Sequence, residues 1–113
     1  MDCLFCAIVA KTIPAKILYE NEHVLAFEDI NPQAPSHVLI IPKQHIPTLN
    51  DLQANQIDLA GSLLYTAKHL AEQLGYAESG YRVVNNCKED GGQAVYHLHL
   101  HLLGNRVFTW PPG

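Results

Sequence analysis

Three histidines, His97, His99 and His101, alternate with Leu98, Leu100 and Leu102 near the carboxyl-terminal end of the chain. In an extended segment, side chains two apart share a face and lie roughly 6.5–7 Å apart. The imidazoles would therefore line one face and the leucines the other. The leucine face reads as core. The imidazole face admits three readings: half-buried histidines on the open side of a sheet, three ligands of one metal, or a catalytic group. In the third, a neutral ring nitrogen attacks phosphorus while a neighbour supplies a proton to the leaving group. Just upstream, Asp90-Gly91-Gly92-Gln93 offers glycine amides that can approach a phosphate closely, an anion-binding concavity that favours the third reading. A second cluster is Cys3-Leu4-Phe5-Cys6, whose spacing lets both thiolates reach one tetrahedral ion at roughly 2.3 Å each. The plain alternative is two small residues packing in an amino-terminal helical turn. His45 is a candidate for completing a metal set, and so is His97, which is spare if His99 and His101 carry the chemistry. Cys87 has no partner nearby in sequence and reads as a free thiol. His23 and His69 read as solvated positions.

The elements that must hold these groups follow from periodicity. Ile57, Ala60, Leu63, Leu64, Ala67, Leu70, Ala71 and Leu74 recur at three- and four-residue steps, predicting one long helix over 57–74 that Gly75 stops. Its other face, with Asp58, Lys68 and Glu72, is wet. Strand signals fall at 17–20, 23–27, 37–41, 81–86 and 96–103, with Asn21-Glu22 as a hairpin turn between the first two. Two prolines make Asn31-Pro32-Gln33-Ala34-Pro35 a loop, and residues 87–94 join the last two strands. Strands, a helix, then strands again predict an α+β domain with a mostly antiparallel five-stranded sheet.

Composition narrows what such a domain can do. A chain of 113 residues, 48% hydrophobic, buries one core, so a single domain over 1–113 is expected. Seven basic against eleven acidic residues give a net charge of −4, which argues against nucleic-acid partners. No apolar stretch reaches membrane-span length, and Met1-Asp2-Cys3 lacks a signal peptide's basic start, so a cytoplasmic protein with no membrane partner is the expectation. Three cysteines do not make a disulfide framework.

The segment His97-Leu98-His99-Leu100-His101-Leu102-Leu103 resembles the signature of the histidine triad (HIT) family of nucleotide hydrolases and transferases. Its flanks, Gly91-Gly92-Gln93-Ala94-Val95-Tyr96, Gly104 and Trp110-Pro111-Pro112-Gly113, resemble the Hint branch, the purine nucleoside phosphoramidases. So do Ile13-Pro14-Ala15-Lys16-Ile17 and residues 29–37. The resemblance implies a HIT-like fold with a short amino-terminal helix and two protomers whose sheets join across a homodimer. It implies His99 as the nucleophile, His101 as the group that contacts phosphate and protonates the amine, and His37 as a third polar group around phosphorus. Asp29 would bind ribose hydroxyls with Ile30 beside it. Asn86, Gly92 and Gln93 match phosphate-side positions, and Phe5, Ile8, Ile13, Phe27 and Leu39 match the apolar slot for the base, although each also reads as ordinary core. Bacterial members with the Cys-x-x-Cys pattern hold a structural zinc through two cysteines and two histidines, which here implies Cys3, Cys6, His45 and His97. The chemistry itself needs no cofactor, because neutral imidazoles and a donor-lined pocket supply nucleophile and charge stabilisation. The expected activity is cleavage of the P–N bond of a purine nucleoside 5′-phosphoramidate. The competing readings are hydrolysis of dinucleoside polyphosphates and a nucleotide-binding regulatory module with little turnover. One departure from the pattern is Ala94, where the eukaryotic branch has a serine. Another is Asn105, where a second glycine is common.

Overall fold

The computed structural model describes residues 3–113. The elements run α1 (Leu4–Val9), β1 (Ile17–Glu20), β2 (Val24–Glu28), β3 (Ser36–Pro42), α2 (Ile57–Gln73), β4 (Arg82–Val84) and β5 (Leu100–Gly104), with 3-10 turns at Leu49–Asp51 and Ala54–Gln56. The five strands form one sheet in the order β1-β2-β3-β5-β4, every neighbouring pair antiparallel. The fold is the α+β arrangement expected from the sequence, one long helix and one short helix included. No described helix is long and apolar enough to cross a membrane.

Strand alternation divides the core into two layers. Val24, Ala26, Val38, Ile40, Leu98, Leu100 and Leu102 pack on one face of the sheet against Leu63, Ala67, Leu70 and Ala71 of α2. Leu25, Phe27, Leu39 and Ile41 pack on the other face with Phe5 and Ile8 of α1. The leucines of the triad segment belong to the α2 side, so the imidazoles are left to the α1 side. Register then sets the site: Phe27 stands opposite Leu39 and Leu39 opposite His101, a row running across three strands at roughly 4.8 Å per step.

α2 ends where the sequence predicts, with Leu74 as its cap and Gly75 at φ +89°, a left-handed conformation that costs glycine little. Its buried stripe is narrower than the periodicity suggests, because Ile57 and Leu64 lie in the open beside Tyr65. The last strand is shorter than the alternation predicts. Its ladder begins only at Leu100, paired with Ile40, whereas Leu98 N–H bonds Ile46 C=O at 2.6 Å outside the sheet. The carbonyls of His97 and His99 are taken by side chains, His99 Nδ1–H at 2.7 Å and Asn85 Nδ2–H at 2.9 Å. With those acceptors engaged, residues 97–99 keep the alternation but make no strand pairing. β4 is likewise limited to three residues, and β2 and β3 differ from expectation by a residue at their ends.

Candidate active site and metal centre

A cleft of about 290 Å³ opens on the α1 side of the sheet, lined by Leu4, Phe5 and Ile8 of α1, by Ile13, Pro14 and Ala15, by Phe27 and Leu39, and by Asp29, Ile30, His99 and His101. The five apolar residues proposed for a base slot, Phe5, Ile8, Ile13, Phe27 and Leu39, all face it. Phe5 stands edge-on to Phe27 and to His99, with ring centroids 5.4 Å and 5.2 Å apart. Ile30 is 97% exposed at the rim, a position that removes apolar surface from water only when something covers it. A wider hollow of about 510 Å³ lies between Tyr81, Arg82, Asn105, Arg106 and Phe108. No imidazole or carboxylate lines it, so its volume is not matched by chemistry.

The hydrogen bonds of three histidines fix where each proton sits. His37 Nδ1 accepts from the Gln33 backbone N–H at 3.0 Å, so the proton of neutral His37 is on Nε2. That Nε2–H donates to His101 Nδ1 at 2.9 Å, with Asp29 Oδ2 3.4 Å away. His101 must then carry its own proton on Nε2, and this buried N–H has no partner among the described residues. His99 donates Nδ1–H to His97 C=O at 2.7 Å, which leaves a lone pair on Nε2. The rings of His99 and His101 are 4.9 Å apart. One cleft wall thus presents a bare nitrogen beside an orphaned N–H. The same arrangement makes Asp29, His37 and His101 a poor cation site despite their proximity, because the Gln33 amide keeps a proton on the His37 nitrogen an ion would need.

Burial keeps these rings neutral. It is the largest influence lowering the pKa of His37 and of His99, opposed at His37 by Asp29 and at His99 by the bond to His97 C=O and then by Asp29. His101 is pushed down to about 4 by burial first, then by the His99 and His37 imidazoles.

On the far side of Phe5, four donors converge. Cys3 Sγ and His97 Nδ1 are 3.3 Å apart, Cys6 Sγ lies 3.3 Å from His45 Nδ1 and 3.5 Å from His97 Nδ1, and the two nitrogens are 3.3 Å apart. A tetrahedral zinc with ordinary bond lengths places two nitrogens about 3.3 Å apart and a nitrogen and a sulfur about 3.6 Å apart. His97 Nε2–H donates to Pro42 C=O at 2.8 Å, so the Nδ1 facing the sulfurs is bare. The distances and the tautomer both fit a structural zinc.

Asn86, Gly92 and Gln93 do not line the cleft. Asn86 is half-buried beyond β4, and Gly92 sits exposed at φ +78°. The Gln93 amide is committed to its own loop, accepting from Lys88 N–H at 2.8 Å and donating to Pro47 C=O at 2.8 Å and Val95 C=O at 3.1 Å. Sequence reasoning missed Gln33, whose backbone amide sets the His37 tautomer, and Asn85, which holds the His99 carbonyl. Neither carries a sequence signal, since one acts through its main chain and the other resembles any polar residue at a strand end. Glu28 and Val95 also line the cleft.

The HIT domain family matches residues 10–108. The chain belongs to the HIT family. Among solved structures, a HIT family hydrolase from Legionella pneumophila superposes with a TM-score of 0.97 at 54% identity, covering 99% of this chain and 100% of that one. Among curated relatives, the 14 kDa zinc-binding protein of Zea mays is 52% identical over 97% of this chain and 87% of its own length. The purine nucleoside phosphoramidase of Escherichia coli is 48% identical over 93% of this chain and 88% of its own length. Within the HIT family, then, this chain has all three triad histidines, one in the Cys/His cluster and two at the cleft.

Proposed function

We propose that this protein hydrolyses purine nucleoside 5′-phosphoramidates at the P–N bond through a covalent nucleotidyl-His99. The observation that carries the proposal is the pair of complementary nitrogens, a bare His99 Nε2 next to an unpartnered His101 Nε2–H, at the end of an apolar slot. The base lies between Phe5, Ile8, Ile13, Phe27 and Leu39, and Asp29 accepts from the ribose hydroxyls with Ile30 covering the sugar. His101, assisted by His37, faces the phosphate. Asn86, Gly92 and Gln93 lie off the cleft, the Gly92 amide donating to Glu89 C=O, and their part is to hold the phosphate-side loop in shape.

The steps balance as follows. A bound phosphoramidate anion opposes the depression of the His101 pKa, so His101 takes up a proton as substrate enters. His99 Nε2 attacks phosphorus, the P–N bond breaks, and the amine leaves with the proton from His101. Water then attacks the nucleotidyl-His99 bond, gives its proton to His101, and releases the nucleoside monophosphate. No step passes through a metal. Zinc on Cys3, Cys6, His45 and His97 would contribute folding free energy and hold α1, the slot wall, against the sheet.

A homodimer is part of the proposal. β4 is a sheet edge, and Ile57, Leu64 and Tyr65 offer apolar surface on the exposed side of α2. The test is rapid quench of turnover with an adenosine phosphoramidate, followed by peptide mapping of the trapped nucleotide. The expected result is adenylate on His99. Adenylate on another histidine, or turnover with diadenosine polyphosphates and none with phosphoramidates, would overturn it.

A further inference from the structure

Two sites that look separate share a helix. α1 has six residues, too few to persist alone in water. Its buried side chains are Phe5 and Ile8, and both face the cleft, as does Leu4. Its other attachment is through sulfur: Cys3 caps the helix, accepting from Cys6 N–H at 3.3 Å, and the thiols converge on His45 Nδ1 and the bare His97 Nδ1. The metal ligand His97 in turn gives its carbonyl to His99 Nδ1–H. One wall of the slot and the tautomer of the cleft histidine therefore both lean on the four-donor cluster. Cys3 and Cys6 are only part-buried, whereas His97 is fully buried, so a reagent from solvent meets the sulfurs first.

We propose that Cys3 and Cys6 form a reversible oxidation site, with hydroperoxides as the class of reagent, that controls nucleotide affinity by releasing α1. The proposal rests on the nucleotide reading of the cleft. One zinc-bound thiolate attacks the peroxide's outer oxygen, the O–O bond breaks, and the sulfur becomes a sulfenic acid while an alcohol or water leaves. The second thiolate displaces the sulfenic oxygen as water and forms the disulfide. Two thiolates lose two electrons, the peroxide gains them, and two protons from solvent complete the alcohol and the water. Residues i and i+3 across a first helical turn lie within disulfide reach. Two neutral imidazoles are too few ligands to retain zinc, so the ion leaves and α1 keeps only the Phe5 and Ile8 contacts. A thiol reductant with zinc present reverses the change.

The experiment uses zinc-loaded protein carrying Cys87→Ser, so that the pair is the only thiol chemistry available. Hydrogen peroxide is added in steps while three quantities are followed: zinc captured by a chromophoric chelator, the Cys3–Cys6 disulfide by mass spectrometry, and amide exchange along the chain. The expected result is one zinc released per disulfide, with exchange rising in residues 4–13 and unchanged in β3 and β5. Calorimetric titration of AMP is expected to show Kd rising about tenfold or more and recovering after thiol and zinc are restored. Zinc retained in the face of oxidation, sulfinic acid in place of the disulfide, or exchange rising evenly through the sheet would each overturn the proposal. So would disulfide formation with AMP affinity unchanged. If reduced, zinc-loaded protein binds no AMP, the nucleotide reading fails, while zinc release and α1 exchange still decide whether the switch exists.

Discussion

His97 and His99 are two residues apart in one leucine-spaced segment, yet they present opposite nitrogens. His97 gives its Nε2 proton to Pro42 C=O and turns a bare Nδ1 toward sulfur, whereas His99 gives its Nδ1 proton to His97 C=O and keeps a bare Nε2. Residue type does not separate the two roles proposed for them, metal ligand and nucleophile. The position of one carbonyl does, since whichever ring nitrogen is held by an acceptor leaves the other with its lone pair. Both histidines are buried and both are kept neutral by burial, so the difference is one of tautomer and not of charge.

Removing each ring in turn separates the two histidines most sharply. His99→Gly is expected to lower kcat by about 10⁴-fold or more, as loss of a nucleophile does. Its AMP affinity should stay close to that of the parent, because the slot and Asp29 are untouched, and its zinc content should be full. His97→Gly is expected to lose zinc first and activity only as a consequence. Steady-state kinetics, AMP calorimetry and elemental analysis on the two variants check this. Equal losses of zinc in both, or of turnover in neither, would erase the distinction.

The next effect is on stability and belongs to the metal side alone. Zinc on four ligands contributes to folding free energy. Chelation, or Cys3→Ser with Cys6→Ser, is therefore expected to lower Tm by roughly 10 °C or more in a domain of this size. Scanning calorimetry with and without added zinc is the measurement. A Tm indifferent to zinc would mean that the sulfurs merely pack.

Much of this pairing is legible in the sequence because it depends on residue type and short spacing. The leucine alternation assigns Leu98, Leu100 and Leu102 to the α2 layer, and the same alternation sets Phe27 and Leu39 on the opposite face of the sheet. The Cys-x-x-Cys spacing points to a metal, and the structure places His45 and His97 at the remaining corners. What the sequence hides is carried by the main chain. Nothing in the letters shows that Leu98 N–H leaves the sheet for Ile46 C=O, that the Gln33 amide fixes His37, or that the Gln93 side chain is spent on Lys88, Pro47 and Val95. Ile57 and Leu64 fit the helical period and still lie outside the packed stripe, since periodicity names an apolar face without saying how wide a surface covers it.

A third prediction concerns acid, and its sign follows from the direction of the shifts. The pKa values of His37 and His101 are lowered in the folded protein, that of His101 from 6.5 to about 4. Between these values the unfolded chain binds more protons, so the stabilisation is complete above about pH 6.5 and is lost as pH falls toward 4. For His101 alone the full swing is at most roughly 3 kcal/mol. The groups facing it are His99 on its own segment and His37 on β3, whose imidazoles lower its pKa further, and Asp29 beyond β2, whose carboxylate opposes them. Denaturant unfolding from pH 7 to 4, comparing the parent with His101→Asn, checks this. The variant should show a shallower slope with the zinc ligands intact in both. Parallel curves would place the acid sensitivity in the metal cluster.

The smallest effect, and the one that distinguishes the two sides most finely, is expected at Ala94. It is exposed, lines the cleft, and follows Gln93, whose main chain and side chain are both tied to Lys88. The Cβ of residue 94 is thereby held in place, and Ala94→Ser adds a hydroxyl at the cleft without moving the backbone. That hydroxyl can donate to the leaving nitrogen, an interaction of about 1 kcal/mol that corresponds to roughly tenfold or less in rate. If it acts on the departing amine, kcat/KM should rise for phosphoramidates with alkylamine leaving groups while AMP affinity, zinc content and Tm stay as they were. Steady-state kinetics across a series of amine basicities would read this as a gain that grows as the amine becomes a poorer leaving group. An equal gain for every substrate would place the hydroxyl on the phosphate instead. No gain would mean that His101 already supplies all the donation that the leaving group can use.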